Sequence, residues 1–263
     1  MALTVGSGPF GTKGTGQFNF DTNVLQPHTL YFEDFPRRVR AMLGGEVVVD
    51  SEKAKLLHET GHLPLYYFSE EDLNRELLER TEHSTHCPFK GDAVYWSVKT
   101  ANHEAENAVW GYPEPLDQSA WLEGYVSIYF EAMDHWFEED EEVTVHPRDP
   151  YHRVDVRESS RHVKVTAGGE PLAETTRPMI LFETGLPPRY YIPPADVKLS
   201  LLTESGTVTR CPYKGTASYW SLKSNGRSME DVAFGYPAPL PEAVKVKDYI
   251  CFLGEGVEYG VGG

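Results

Sequence analysis

The chain has 263 residues, of which 40% are hydrophobic and 12% aromatic, enough for one large core or two ordinary ones. Forty acidic residues against 24 basic ones give a formal net charge of −16, which argues against general binding to nucleic acid backbones or anionic membrane surfaces. No apolar run approaches the ~20 residues of a membrane helix, the N-terminus lacks a secretory signal pattern, and three cysteines do not form a disulfide framework, so a soluble, cytoplasmic protein is expected.

Residues 1–36 read as an N-terminal arm, with five glycines between positions 6 and 16 and a more apolar "LYFEDF" near its end. The "GSGPFG" at 6–11 has the spacing of a dinucleotide fingerprint, but no strand precedes it and no helix follows, so it is read as a flexible segment. From Arg37 the chain repeats itself. A constant offset of 124 aligns 37–129 with 161–253 without a gap, and roughly one position in three is identical. Register held over that length means two copies of one domain, here 37–130 and 161–263, joined by an acidic connector at 131–160. Two copies are too few for a solenoid, and a monomer with pseudo-symmetric domains is the expected state.

Each copy opens on a hairpin, turning at Gly44-Gly45 or Gly168-Gly169, a dipeptide that accepts the positive φ of a two-residue turn. A strand follows in "KLLHET" or "MILFET", and then a second in "PLYYF" or "PRYYI". Ser69, with Asp72 three residues on and Leu73, Leu77 and Leu78 spaced to one face, predicts a short α-helix over "EEDLNRELLER". Its counterpart is "PPADVKLSLL", with prolines in the first turn. Next comes the best-kept stretch, "CPFKGDAVYWSVK" at 87–99 against "CPYKGTASYWSLK" at 211–223. A second hairpin turns at Asn225-Gly226, and the copy closes with "GYPxPL" and a strand around Tyr125 or Tyr249. The connector starts with "EAMDHWFEEDEEV", a solvated acidic run, and its "VTVH" and "RVDV" could form short strands. The fold class read from this pattern is mainly β, two tandem copies with one short α-helix each.

Strand alternation sorts the kept stretch into two faces. Val94, Trp96 and Val98 form an apolar face, while Tyr95, Ser97 and Lys99, repeated as Tyr219, Ser221 and Lys223, form a polar one. A shared ligand pocket and a shared buried hydrogen-bond network both account for that polar row. The turn before it adds Cys87 and Lys90, or Cys211 and Lys214, and Arg37 or Arg161 brings each copy to three cations. Three kept cations on an acidic chain suggest a compact anionic ligand, such as the carboxylate or phosphate of a small metabolite. The alternative is that they pair with Glu46 and Glu59, or Glu170 and Glu183. His86 beside Cys87 becomes Arg210 in the second copy, so a cysteine–histidine dyad is not expected. Without a CxxC pair or a histidine cluster common to both copies, neither metal nor cofactor is expected.

"HCPFKGDAVYWSV", "TRCPYKGTASYWSL", "ETGLPPRYYIPPADV", "AFGYPAPL" and the connector "EEDEEVTVHPRDPYHRVDV" give the chain a resemblance to the family called domain of unknown function 427, in tandem form, from about residue 30 onward. The resemblance implies a compact β-tent-like domain, here doubled. Zinc-binding relatives of that fold use paired CxxC motifs, which this sequence lacks. A nucleotidyltransferase-like label is attached to the family, but paired carboxylates for Mg²⁺ and a phosphate loop do not occur at matching positions of both copies. The reading that results is a small-molecule binding module with two related sites, with turnover left open. Its alternative is a structural or interaction protein whose polar rows are buried networks.

Overall fold

The computed structural model describes residues 3–6, 8–13, 19, 28–224 and 227–262. The expected turn at Asn225-Gly226 and part of the glycine-rich opening lie outside them. The chain divides into two compact units, Leu3–Asp149 and Pro150–Gly263.

In the first unit the strands are β1 (Leu30–Asp34), β2 (Val39–Leu43), β3 (Glu46–Ser51), β4 (Lys55–Glu59), β5 (Leu65–Ser69) and β6 (Leu78–Cys87). They continue with β7 (Gly91–Lys99), β8 (Glu104–Gly111), β9 (Tyr125–Ile128), β10 (His135–Glu138) and β11 (Glu141–Val143). Seven form an antiparallel sheet in the order β1-β4-β5-β9-β8-β7-β6, and four form a smaller sheet, β11-β10-β2-β3. One apolar cluster joins the small sheet to one face of the large one through Val39, Val49, Leu56, Phe68, Val109 and Trp136. A second cluster covers part of the other face with Leu57, Tyr67, Ala93, Tyr95, Trp110 and Tyr112.

The second unit repeats this plan. Its strands are β12 (Val154–Glu158), β13 (His162–Ala167), β14 (Glu170–Thr175), β15 (Met179–Glu183) and β16 (Arg189–Ile192). They are followed by β17 (Leu202–Cys211), β18 (Gly215–Ser224), β19 (Arg227–Pro239), β20 (Ile250–Phe252) and β21 (Val257–Gly262). The large sheet runs β12-β15-β16-β20-β19-β18-β17 and the small one β14-β13-β21, again with a separate apolar cluster on each face of the large sheet. The protein is therefore mainly β, in two repeated sheet-rich halves.

The hairpin turns are as the dipeptides require: Gly44 and Gly45 have φ of 60° and 84°, Gly168 and Gly169 of 56° and 83°. The predicted helix is not continuous. Two 3₁₀ turns, Glu70–Asp72 and Arg75–Leu77, stand in its place, matched by Pro194–Asp196 and Leu199–Leu201. Tertiary pairing overrides the helical pattern. Leu73 is extended and bridges to Val49, while Asp72 accepts from the Ser51 hydroxyl at 2.6 Å instead of closing a capping box; Val197 with Ala173, and Asp196 with Thr175, do the same.

The stretch 131–160 is not a free connector. β10 and β11 complete the first small sheet, because Trp136 buries its ring against Phe68 and Phe130, while Glu139–Glu142 stay on the solvent side. β12 belongs to the second unit, where it pairs with β15. The end of the N-terminal arm likewise becomes β1, paired with β4. Residues 3–6 and 8–13 pack beside the end of β4, where Gly61 donates to the Thr4 carbonyl at 3.0 Å and the Thr60 hydroxyl to the Phe10 carbonyl at 3.2 Å.

Candidate functional site

β4 ends on a glutamate, and so does β15. Glu59 and Glu183 are buried where the large sheet meets the turn after β6 or β17. That turn brings in a lysine. Gly91 has a φ of 107° and Gly215 of 98°, and a Cβ on either would sit 3.2 Å or 3.1 Å from a facing carbonyl oxygen, so glycine is needed to close the turn beneath Lys90 and Lys214. Both lysines are buried, and each ammonium donates to its glutamate. A histidine completes each cluster: His28 Nε2 lies 2.8 Å from the other oxygen of Glu59, and His152 Nε2 lies 3.1 Å from that of Glu183. The His28 ring stacks on Phe89 at 3.8 Å between centroids, and the His152 ring on Tyr213 at 4.0 Å.

Tyrosines form the adjoining wall. Tyr67 from β5, Tyr95 from β7 and Tyr112 just after β8 are buried with Trp110. Tyr191 and Tyr236 are buried at the corresponding positions of the second half, with Tyr219 packed against them. Tyr95 shares a hydrogen bond of 2.8 Å with Thr85, and Tyr219 one of 2.9 Å with Thr209. The hydroxyls of Tyr67 and Tyr191 are fully buried without a well-aligned hydrogen bond among the described residues, but the Trp110 side chain lies near enough to Tyr67 to act on it as a hydrogen-bond donor, whereas Tyr191 faces Phe234 and has no such donor. The Trp110 indole lies near Tyr67, edge-on at 6.5 Å between ring centroids, where Phe234 faces Tyr191.

Electrostatics divide these groups into two kinds. Burial acts to raise the Glu59 carboxyl, but hydrogen bonds and charge from Lys90, with help from His28, hold it below the usual carboxylate range. For Glu183 the same opposition, with His152 and Lys214 winning over burial, takes the value down to about 2. The phenols move the other way. Burial first, and then neighbouring acidic groups, push Tyr67, Tyr112, Tyr191 and Tyr236 well above the ordinary phenol value, so they remain neutral donors at physiological pH. Each half therefore holds an ionised carboxylate, a buried ammonium, an imidazole and neutral phenols in one cluster.

Of the sequence candidates, Lys90, Cys87 and Tyr95, with Lys214, Cys211 and Tyr219, are brought to this cluster. Cys87 and Cys211 are half-buried free thiols, and electrostatic interaction with them adds to the upward shift of Tyr112 and Tyr236. The others lie elsewhere. Ser97 accepts from the Asn107 backbone at 3.1 Å, and Ser221 from Asp231 at 3.1 Å, each engaged by a bulge of the neighbouring strand, β8 or β19, while β7 and β18 keep their alternation. Lys99 is exposed at the sheet's end, paired with Glu79 at 2.5 Å and Glu104 at 3.3 Å; Lys223 is exposed as well. Arg37 pairs with Glu138 beneath Tyr66, and Arg161 is on the surface. The three cations of each copy thus do not form one anion pocket, and Lys90 has the glutamate partner that the alternative reading gave it.

Sequence reasoning missed His28 with His152, Tyr67 with Tyr191, and Tyr112 with Tyr236 as site residues. The signal was present. All three pairs are identical at the offset of 124, and β1 and β12 keep the same offset upstream of Arg37.

The fold and these clusters define a tandem β protein with a duplicated buried His–Glu–Lys–Tyr cluster. Its two halves match the model of the family described as domain of unknown function (DUF427) at residues 31–139 and 155–262, well over half of the chain, and the protein belongs to that family. No curated protein matches the chain.

Proposed function

We propose that each half binds a small molecule through a carboxylate, phosphate or carbonyl oxygen, held at the His–Glu–Lys–Tyr cluster. The observation that carries this reading is the fully buried tyrosine hydroxyl at the same place in both halves, without a partner at Tyr191 and with only the Trp110 indole near it at Tyr67, beside the glutamate of the cluster and a second neutral phenol. An unmet buried hydroxyl costs about 1–3 kcal/mol, and a buried tyrosine kept at this place in both halves suits a group held for an acceptor that arrives from outside. Neutral phenols next to an ammonium are suited to an oxygen that is negative or becomes so, and the low surrounding polarity strengthens each contact. The bonded chain His28–Glu59–Lys90 also links three titratable groups through which a proton could be exchanged with such a ligand.

A structural role is the competing reading, and the mutual satisfaction of Lys90 and Glu59 favours it. The tyrosines separate the two. Tyr67→Phe with Tyr191→Phe removes one oxygen without a partner and one with only the Trp110 indole beside it, so the double variant should melt close to the wild-type temperature. A thermal-shift series with carboxylates, sugar phosphates and nucleotides then reads the site. A ligand at 100 times its dissociation constant stabilises the wild type by about 2.7 kcal/mol, and the double variant should lose that response. A response kept in full by the double variant would move the ligand elsewhere. No response in either protein would leave the cluster as scaffold.

A further inference from the structure

The first half has a second recess, on the opposite face of its large sheet from the acid–base cluster. It is a cavity of about 280 Å³, close to the lower end of small-molecule sites, ~300–1,000 Å³. Its floor is apolar, made by Leu73, Leu78, Trp96, Val109 and Val126, and its rim carries Glu70, Arg75 and Arg80. Arg80 sits directly across from Trp96 in the β6–β7 ladder, at the last regular pair before β6 bulges, and its guanidinium lies 5.1 Å over the indole ring. Among the described residues Arg80 makes no ion pair, in a chain where acidic residues outnumber basic ones 40 to 24. Arg75 is held only loosely, 3.9 Å from Glu70.

The second half shows which of these features the fold itself requires. Trp220 keeps the place of Trp96, and Val197, Leu202, Ala233 and Ile250 keep an apolar floor. At the rim, Leu199 stands for Arg75 and Glu204 for Arg80. The sheet and its tryptophan do not need the cations, so the arginines are a property of the first cavity. A planar guanidinium fork above an indole, with an apolar recess beside it, matches an apolar body carrying one carboxylate.

We infer that this cavity is a binding site for a small amphipathic carboxylate, its flat apolar part on Trp96 and Val109 and its carboxylate on the Arg80 fork, with Arg75 as a second cation. The site is independent of the acid–base cluster and exists in the first half alone.

The test uses the full chain and the indole N–H signals of its five tryptophans in ¹H–¹⁵N spectra, with Trp96 assigned through Trp96→Phe. Indole-3-acetate is titrated against its neutral amide. The Trp96 signal should move saturably with the acid, at an affinity about ten-fold or more above that for the amide, since a charge-assisted fork is lost with the charge. Arg80→Glu, which installs the second half's residue, and the milder Arg80→Gln should both remove the response, while Tyr67→Phe should leave it unchanged. Equal response to acid and amide, a response that survives both Arg80 variants, or an unmoved Trp96 signal up to the solubility of the acid would overturn the inference.

Discussion

The two halves share a fold and differ in where their charges lie. On one face of each large sheet the acid–base cluster is reproduced residue for residue, His28, Glu59, Tyr67, Lys90 and Tyr112 against His152, Glu183, Tyr191, Lys214 and Tyr236. On the other face the rim of the first cavity has Arg75 and Arg80, and the second half has Leu199 and Glu204. The histidine, glutamate and lysine of each cluster are mutually bonded and hard to exchange singly, because each loss leaves a partner unsatisfied; rim residues can be replaced one at a time. The first face therefore keeps the same cluster in both halves, and the second is where the halves differ.

The largest effect should come from breaking a buried pair. Lys90→Ala leaves Glu59 charged without its ammonium, and Lys214→Ala does the same to Glu183. Each should cost about 3 kcal/mol in urea unfolding, the lower end for breaking a buried pair because both clusters lie close to the surface. Equal costs in the two halves would support a common role, and a loss below 1 kcal/mol in one would show that its cluster relaxes freely.

Acid should sharpen the comparison next. Glu183 is depressed in the folded state, so its contribution is present above the unfolded value near pH 4.5 and is lost as pH falls through the folded value of about 2. Glu59 behaves with the same sign. A loss on the order of 2 kcal/mol, reduced from the full linkage value for partial solvent screening, is expected between pH 4.5 and 2. Hydrogen exchange on Tyr191 and Tyr67 amides would follow each half separately. Stability that stays flat over that window would rule out an ionised, stabilised carboxylate.

Lys99→Ala should have the smallest effect. Its ammonium is exposed, and its two glutamate partners are exposed too, so the melting temperature and any ligand response should match the wild type. A marked change in either would return Lys99 to the site from which the geometry removes it.

Much of the fold was legible because it is written twice. The Gly-Gly turns, the hairpins and the tandem arrangement follow from local chemistry and a fixed offset. The helix over 70–80 was not legible correctly. Leu73, Leu77 and Leu78 have helical spacing, but Leu73 serves instead as a bridge to Val49, which only the neighbouring strand could decide. The acidic stretch after residue 130 misled for a related reason: one buried ring, Trp136, outweighs the surrounding carboxylates, which need only face water.

For the site, alternation placed Tyr95 and Tyr219 away from the main core, with Ser97 and Ser221 on the same face, but it could not show that bulges at Asn107 and Asp231 in the neighbouring strands engage the two serine hydroxyls. His28 and Glu59 are 31 residues apart, as are Glu59 and Lys90, so their meeting depends on strand order and not on sequence spacing.

By itself the sequence determined that there are two copies of a β domain, where their tight turns fall, and which positions are identical in both. These are consequences of backbone preference and of repetition, which act locally or can be compared along the chain. The tertiary structure alone decided which identical residues meet, because a sheet ordered β1-β4-β5-β9-β8-β7-β6 joins distant strands, and burial then fixes which lysine is paired, which carboxyl is ionised and which tyrosine is left without a partner.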